Sequence, residues 1–302
     1  MADRPSLTIV IPAYNEAASL PSVLEEVKQY RDARPDVRVV IVDDGSRDAT
    51  PDVLAAWQGC EGVTIIRHKV NRGYGGALKS GLAQATTDLA VTIDADGQHR
   101  LEDVDGMLAI FGAQDADLVV GTRPADAGSL YRRMGKWVIR TLARVLTRTG
   151  VTDLNSGCKL YRTSLVRRYL YLCPDSMAFS DVMTLVFASQ RHRIVPCPIP
   201  DRARRAGKGT ISTATAFETV LEILNIIMLF NPLRIFLPLS ICCFLAGLLW
   251  GIPIVLVGRG VSVGSMLAIV MGLFFFFLGL VAEQLALIRK ETINRPSGSA
   301  GG

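Results

Sequence analysis

No C-x-x-C pair and no zinc-like Cys/His spacing occurs in this chain of 302 residues, although it holds six cysteines. Cys60, Cys158, Cys173, Cys197, Cys242 and Cys243 therefore read as reduced structural thiols, which excludes a disulfide framework or a structural zinc site. Nor is there an arginine-rich block with interleaved aromatics. The net charge of +5 is scattered and too mild for a nucleic-acid footprint, so no nucleic-acid partner is expected. Met1 to Ser6 is short and polar, without the charge-plus-apolar pattern of a signal peptide, and the globular part is expected to stay in the cytoplasm. The loop Gly73-Tyr-Gly-Gly76 lacks the third glycine of G-x-G-x-x-G, because Leu78 stands there, and it follows the third expected strand rather than the first. That spacing argues against an NAD or FAD site. Two uses of these glycines stay open: tight strand-to-helix packing, or a phosphate contact.

What is present divides the chain. Residues 1 to about 212 have the mixed composition of a globular domain, and from Phe217 onward the sequence turns strongly apolar. Ile235 to Val257 is an uncharged run long enough to cross a bilayer, and Val263 to Ile288 is a second. The short Gly258-Arg-Gly-Val-Ser262 connection makes the pair a helical hairpin. Arg202, Arg204, Arg205 and Lys208 precede it and Arg289, Lys290 and Arg295 follow, against Arg259 in the connection. Both ends, and with them the globular domain, are thus expected on the cytoplasmic side of the membrane. Glu283, inside the second run, is expected to snorkel or pair with a base near Arg289. Phe217 to Phe230 is amphipathic, with Leu221, Leu224, Ile227 and Met228 on one face and Glu218 and Glu222 off it. It suits an interfacial helix, or docking on the globular domain. The expected organisation is a domain at 1–212, an amphipathic juxtamembrane helix at 213–232, a hairpin at 233–290 (spans about 235–257 and 263–288) and a disordered, low-complexity tail at 291–302.

Leu7 to Ile11, Val37 to Val42, Val63 to Ile66, Leu89 to Ile93 and Asp117 to Gly121 read as short buried strands. Helices are expected between them: Glu16 to Tyr30 capped by Asn15, a second capped by Thr50 with Pro51 at its first position, and a third running to about Ala85. This alternation predicts an α/β domain with a mostly parallel sheet. In such sheets ligands bind beyond the carboxyl ends of the strands. Tyr14, Asn15, Glu16, Asp43, Asp44, Arg72, Asp94 and Asp96 all fall at or just past strand ends, so they converge on one rim. Asp94-Ala-Asp96 sets two carboxylates at one strand tip, where their repulsion favours a divalent cation. Mg2+ and Mn2+ take such oxygens while leaving room for phosphates, and Gln98 offers a further amide oxygen.

Pro12-Ala-Tyr-Asn-Glu16, Val42-Asp-Asp-Gly-Ser46 with Asp48 and Thr50, Asn71-Arg-Gly-Tyr-Gly-Gly-Ala77, Asp94-Ala-Asp-Gly-Gln-His99 and Gly121-Thr-Arg123 follow one another in order. In that order and spacing they resemble family 2 glycosyltransferases of the GT-A fold. More narrowly, the chain resembles polyprenyl-phosphate glycosyltransferases: dolichol-phosphate mannose synthases and two-span bacterial undecaprenyl-phosphate sugar transferases. Asp153-Leu-Asn-Ser-Gly-Cys-Lys-Leu-Tyr161 resembles that family's D-x-x-S-G-F-R-L segment, with Cys158 at the Phe position.

The resemblance implies a Rossmann-like GT-A domain and assigns roles by position. Asp94, Asp96 and Gln98 would hold Mg2+ or Mn2+. Pro12, Tyr14, Glu16, one of Asp43 or Asp44, and Arg72 would contact the nucleotide-sugar donor. Arg123, Arg132 and Arg133 would grip the acceptor phosphate, although Arg132 and Arg133 also fit a solvated or headgroup-facing surface. Arg204 opens a segment resembling a donor-closing R-x-x-G-E-S-K loop, from which Gly209 and Thr210 depart. Asp153 would orient the acceptor or act as a base, with capping of the Asn155 or Ser156 amides as the structural alternative. The implied reaction is inverting transfer of a hexose from a UDP- or GDP-sugar to membrane polyprenyl phosphate. A polysaccharide-elongating transferase is the alternative, but its Q-x-x-R-W motif is missing; a non-catalytic nucleotide-sugar-binding accessory is another. Two spans form no conduit, so a separate flippase is expected to move the product. The sequence leaves the oligomeric state open, with bundling of hairpins between protomers as a homo-oligomer it allows.

Overall fold

The computed structural model describes residues 5–122, 156–200, 228 and 232–294, with side chains through Ile288. The chain forms two compact units, Met1–Ala216 and Phe217–Gly302. The first is built on seven strands: β1 (Leu7–Ala13), β2 (Val37–Asp43), β3 (Val63–Arg67), β4 (Leu89–Thr92), β5 (Leu118–Thr122), β6 (Lys159–Arg162) and β7 (Ile194–Pro198). Their order is β3-β2-β1-β4-β6-β5-β7, and every pairing is parallel except those of β6 with β4 and β5. All seven residues of β1 are buried, as expected of a strand covered on both faces. β6 and β7 add to the five strands expected from sequence. β7 carries Pro196 and Pro198, which its place at the sheet edge tolerates.

Helices α1 (Leu20–Asp32), α2 (Thr50–Ala55) and α4 (Leu101–Gln114) cover one face, where Leu20, Leu24, Leu54, Val104 and Met107 share a core with Leu7, Ile9 and Ile11. The alternate strand residues turn to the other face, covered by α3 (Tyr74–Gln84), α5 (Thr163–Tyr169) and α6 (Phe179–Ser189). Gly81 lets α3 lie close on the sheet, since a Cβ there would overlap Val10.

Two expected helix starts are corrected. α1 begins at Leu20, with Ser19 at its N-cap position, and not at Glu16. Asn15 is no cap: it sits in the left-handed region at φ 55°, its N–H donates to Ser46 Oγ (3.0 Å), and its Oδ1 accepts from Arg47 N–H (2.8 Å). An Asn tolerates that conformation and is used here to join two loops. Thr50 is the first residue of α2; Asp48 Oδ1 accepts the Thr50 N–H (3.0 Å), while Thr50 Oγ1 accepts the N–H of Glu16 (2.9 Å).

At the sheet rim formed by the start of β5 and β7, Tyr169 Oη lies 2.8 Å from His192 Nε2, and His192 Nδ1 lies 3.3 Å from Asp117 Oδ2. Burial pushes the imidazole below its ordinary value of 6.5, and Asp117 only partly opposes this. The folded state thus favours neutral His192, so its contribution is present above pH 6.5 and is lost as pH falls through the lowered folded value. Thermal unfolding from pH 7.5 to 5 is expected to show His192→Gln losing less stability than the parent on acidification; parallel curves would refute this.

The second unit consists of α7 (Leu233–Leu256) and α8 (Val263–Asn294). Leu233–Leu256 and Val263–Ile288 are each long and apolar enough to cross a membrane, and only 17% of each apolar window is buried. Leu249, Trp250, Phe274 and Phe277 project outward. The helices meet through small residues: a Cβ on Gly247 would crowd Ile269 (2.7 Å), and one on Gly272 the Phe244 backbone (2.9 Å). Ser240 Oγ donates to the Gly272 carbonyl (2.7 Å). Glu283 Oε2 accepts the N–H of Leu233 (3.4 Å), which puts a carboxylate at the positive end of α7. Most of the segment expected as an amphipathic helix, 213–232, lies outside the described residues.

Candidate active site

β1 is flanked by β2 on one side and β4 on the other, so a crevice opens between the carboxyl ends of β1 and β4. In a doubly wound sheet that is where ligands bind. Hydrogen bonds stitch the loops around it. Asp44 N–H donates to the Ala13 carbonyl (2.9 Å), and Ala17 N–H donates to Asp48 Oδ2 (3.2 Å). With the Asn15–Ser46, Asn15–Arg47 and Glu16–Thr50 bonds, these join the loop after β1 to the loop after β2. Pro12 is buried at the end of β1 and Tyr14 is 42% exposed; the Glu16 carboxylate accepts Ser19 Oγ (2.5 Å).

The two neighbouring aspartates divide their work. Asp44 Oδ1 accepts the N–H of Arg72 (2.9 Å) and lies 2.6 Å from His68 Nδ1, while Oδ2 accepts the N–H of Gly73 (2.8 Å). Both oxygens therefore hold the loop after β3. His68 Nε2 lies 2.8 Å from Ser80 Oγ. This Asp-His-Ser chain has hydrogen-bond spacing throughout, but Ser80 lies within α3, where helical bonding takes the neighbouring N–H groups, so the chain acts as a brace. Asp43 differs. Its Oδ1 accepts the N–H of Ser46 (2.9 Å), whereas its buried Oδ2 has no hydrogen-bond partner among the described residues; Arg67 Nε stands 3.2 Å away as an ion pair. A buried acceptor in that condition, at a ligand rim, calls for an explanation.

The glycine question is also settled for two amides. Gly75 N–H donates to the Ser176 carbonyl (3.2 Å) and Gly76 N–H to that of Asp175 (3.1 Å). A Cβ on Gly73 would come within 2.6 Å of the Asp175 carbonyl oxygen, and one on Gly75 would overlap that of Pro174. These glycines admit the 174–176 loop against the start of α3. Their packing role is realised, and the Gly75 and Gly76 amides serve protein carbonyls. Arg72, half exposed, lies 3.8 Å from Asp175, which also accepts Lys79 Nζ (2.6 Å).

Beyond β4 the chain turns at Gly97 (φ 76°), and Gln98 N–H donates to Asp96 Oδ1 (3.0 Å). Asp96 is buried, while the Asp94 side chain is 25% exposed. Tyr74 Oη donates to Asp94 Oδ1 (2.8 Å), and His99 Nε2 lies 3.5 Å from Oδ2. Burial first, and then Asp94, raises the Tyr74 hydroxyl well above its ordinary value, so it remains a donor. Among the described residues, no three His, Cys, Asp or Glu side chains cluster as metal ligands. Partly exposed Asp94 and buried Asp96 are hard oxygen donors without a closed protein cage among the described residues. This donor set fits Mg2+ or Mn2+ sharing its coordination with phosphate oxygens, and does not fit a closed structural zinc site.

The structure thus brings Pro12, Tyr14, Glu16, Asp43, Asp44, Arg72, Asp94, Asp96 and Gln98 to one rim. Arg123, Arg132, Arg133, Asp153 and Arg204 lie outside the described residues. Sequence reasoning passed over Tyr74, His68 and Gly157. Tyr74 stands inside a motif already singled out, but nothing in a linear pattern ties it to a carboxylate 20 positions away.

Residues 8–170 match the family described as Glycosyl transferase family 2, and residues 231–288 match the GtrB C-terminal hairpin. An undecaprenyl-phosphate 4-deoxy-4-formamido-L-arabinose transferase of Pectobacterium carotovorum subsp. carotovorum (strain PC1) is 26% identical, across 97% of this chain and 92% of its own. An undecaprenyl-phosphate mannosyltransferase of Micrococcus luteus is 30% identical, across 71% of this chain and 90% of its own. The crystal structure of Mycobacterium tuberculosis glucosyl-3-phosphoglycerate synthase with Mn2+, UDP-glucose and phosphoglyceric acid matches at TM-score 0.59 and 20% identity, over 74% of this chain and 79% of that one. The last likeness establishes the GT-A fold. With a family match over more than half its length, a sheet of that fold and a matching terminal hairpin, the chain belongs to glycosyl transferase family 2.

Proposed function

We propose that this protein transfers a sugar from a UDP- or GDP-sugar to a membrane polyprenyl phosphate, with inversion at the anomeric carbon. The observation that carries the reading is the union, in one chain, of a stitched rim at the GT-A switch point with a two-helix apolar hairpin. Both relatives named for undecaprenyl-phosphate transfer are matched along most of their own length, and the formamido-arabinose transferase is matched across 97% of this chain, the hairpin region included. An acceptor whose tail lies in the bilayer requires the site to be held at its surface, and a spanning hairpin does so durably. In this reading the hairpin spans the membrane with both ends cytoplasmic, the domain at 1–212 is catalytic and 213–232 lies at the interface.

The polyprenyl phosphate arrives largely dianionic at neutral pH, because its second pKa is near 6, and is already a nucleophile. Its oxygen attacks the anomeric carbon as the bond to the nucleoside diphosphate breaks. The protein must therefore position two anions and stabilise the leaving group. Asp94, Asp96 and Gln98 would hold Mg2+ or Mn2+, which when bound supplies charge neutralisation for the departing diphosphate. Asp43, with its buried Oδ2, is assigned to the donor base, and Asp44 to fixing the Arg72 loop beside the diphosphate. Pro12, Tyr14 and Glu16 line the donor side. Arg123, Arg132 and Arg133 are assigned to the acceptor phosphate, Arg204 to closure over the donor and Asp153 to orienting the acceptor.

The test is direct. Purified full-length protein with Mn2+ or Mg2+, polyprenyl phosphate and a panel of UDP- and GDP-sugars is expected to yield a lipid-linked monosaccharide. A folded preparation inactive with every donor would overturn the reading. Arg123→Ala is expected to raise the KM for polyprenyl phosphate about tenfold or more while leaving nucleotide affinity near that of the parent, as loss of a charge-assisted contact predicts. A selective loss of nucleotide affinity would move Arg123 to the donor side.

A further inference from the structure

We propose that Tyr74 is a positioning residue for Asp94, holding this carboxylate for a divalent cation in a niche that exists because Gly157 has no side chain. The inference deepens the proposed function and rests on its assignment of Asp94 and Asp96 to the cation.

The hydroxyl of Tyr74 donates to Asp94 Oδ1 at 2.8 Å. Its backbone is held from both sides. Asp44 takes the N–H groups of Arg72 and Gly73, and the carbonyls of Ser176 and Asp175 take those of Gly75 and Gly76. A phenol anchored this way directs its hydrogen bond to one place, so Asp94 has a preferred rotamer before any ligand arrives. Groups that orient a ligating carboxylate commonly account for 10- to 100-fold in metal affinity or activity.

Gly157 bounds the other side. A Cβ there would overlap Asp94 Oδ2 and stand 2.8 Å from both Cγ and Oδ1. The segment is poorly placed to retreat. Thr92 Oγ1 donates to the Gly157 carbonyl (2.7 Å), and Ser180 Oγ donates to that of Ser156 (2.6 Å). Two residues on, buried Lys159 Nζ donates to the Ser180 carbonyl (2.5 Å) and to Thr184 Oγ1 (2.8 Å). An added methyl must therefore displace Asp94 rather than the strand. The same niche couples the loop that Asp44 holds to the carboxylate beside the diphosphate.

The experiment measures Mn2+ affinity of the full-length protein in micelles by electron paramagnetic resonance, alongside thermal unfolding and transfer. Tyr74→Phe removes one hydroxyl and is expected to weaken Mn2+ binding about 10- to 100-fold. Its lost transfer should recover in part as Mn2+ is raised, which general damage to the fold would not produce. Gly157→Ala is expected to act in the same direction, and Asp96→Ala to abolish specific Mn2+ binding. Mn2+ affinity of Tyr74→Phe within twofold of the parent, with Asp96→Ala still abolishing binding, would overturn the positioning role and leave the cation assignment standing. Parent-like Mn2+ binding by Asp96→Ala would overturn both. Should Tyr74→Phe unfold, parent-like Mn2+ affinity in a folded Gly157→Ala would overturn the niche.

Discussion

Asp96→Ala is expected to reduce sugar transfer by about a thousandfold or more, while the hairpin still inserts into membranes. The magnitude follows from the charge on the leaving group. A cation at a departing diphosphate contributes several kcal/mol to the transition state, and each 1.36 kcal/mol is tenfold in rate. Asp96 also has a local structural duty, since its Oδ1 accepts the Gln98 N–H and closes the turn before α4. Alanine removes both the charge and that bond. Asp96→Asn separates them, because the amide oxygen can still accept from Gln98 while the charge is gone. Transfer assays on both variants at matched folding should find both nearly inactive. Substantial activity in the Asn variant would make the turn, and not the charge, the reason for the Ala defect.

The second large effect separates the adjacent aspartates after β2. Asp44→Ala leaves the Arg72 amide and His68 Nδ1 without their acceptor, and the Gly73 amide with Asn71 Oδ1 alone. At about 1–3 kcal/mol for each of the two groups left unsatisfied, unfolding free energy should fall by about 2 kcal/mol or more. Asp43→Ala loses one internal hydrogen bond, from the Ser46 N–H, and an ion pair with the solvent-screened Arg67 side chain, and should cost only about 1 kcal/mol of stability. Its main defect is expected in binding. Losing a charge-assisted hydrogen bond of about 1.5–3 kcal/mol to the nucleotide base corresponds to roughly 10- to 150-fold in Kd. Denaturant unfolding and calorimetric titration with UDP and GDP check both halves. If Asp43→Ala proves the unstable variant and Asp44→Ala the one that keeps its fold but binds nucleotide poorly, the assignments exchange.

Much of this was readable along the chain, because the relevant signals are local. Short β-branched runs ending in acids, helical spacing between them and two uncharged apolar runs are properties of ten to twenty-five neighbouring residues. They sufficed for the parallel α/β sheet, for the shared rim of Asp43, Asp44, Arg72, Asp94 and Asp96, and for the hairpin. β6 escaped because it is a strand through pairing with β4 and β5 more than through its own pattern, and β7 because Pro196 and Pro198 interrupt its run. Asn15 looked like a cap because its residue type suits one, but its φ of 55° and its bonds to Ser46 and Arg47 depend on a loop some thirty positions away.

Only the folded structure could assign different duties to two identical side chains. Asp43 and Asp44 are adjacent and identical in type, yet Asp43 ends β2 with a buried Oδ2 that accepts no hydrogen bond among the described residues, while both oxygens of Asp44 hold the loop after β3. The glycines after Arg72 allowed either packing or phosphate binding until the carbonyls of Asp175 and Ser176 arrived at their amides. The spacing of Asp94 and Asp96 suggested a cation site. The hydrogen bond from Tyr74 to Asp94, and the room left at Gly157, arise where segments 20 and 63 positions from Asp94 meet it. Spacing along a strand sets which groups share a rim, whereas the orientation and hydrogen bonding of each group depend on whatever chain packs beside it.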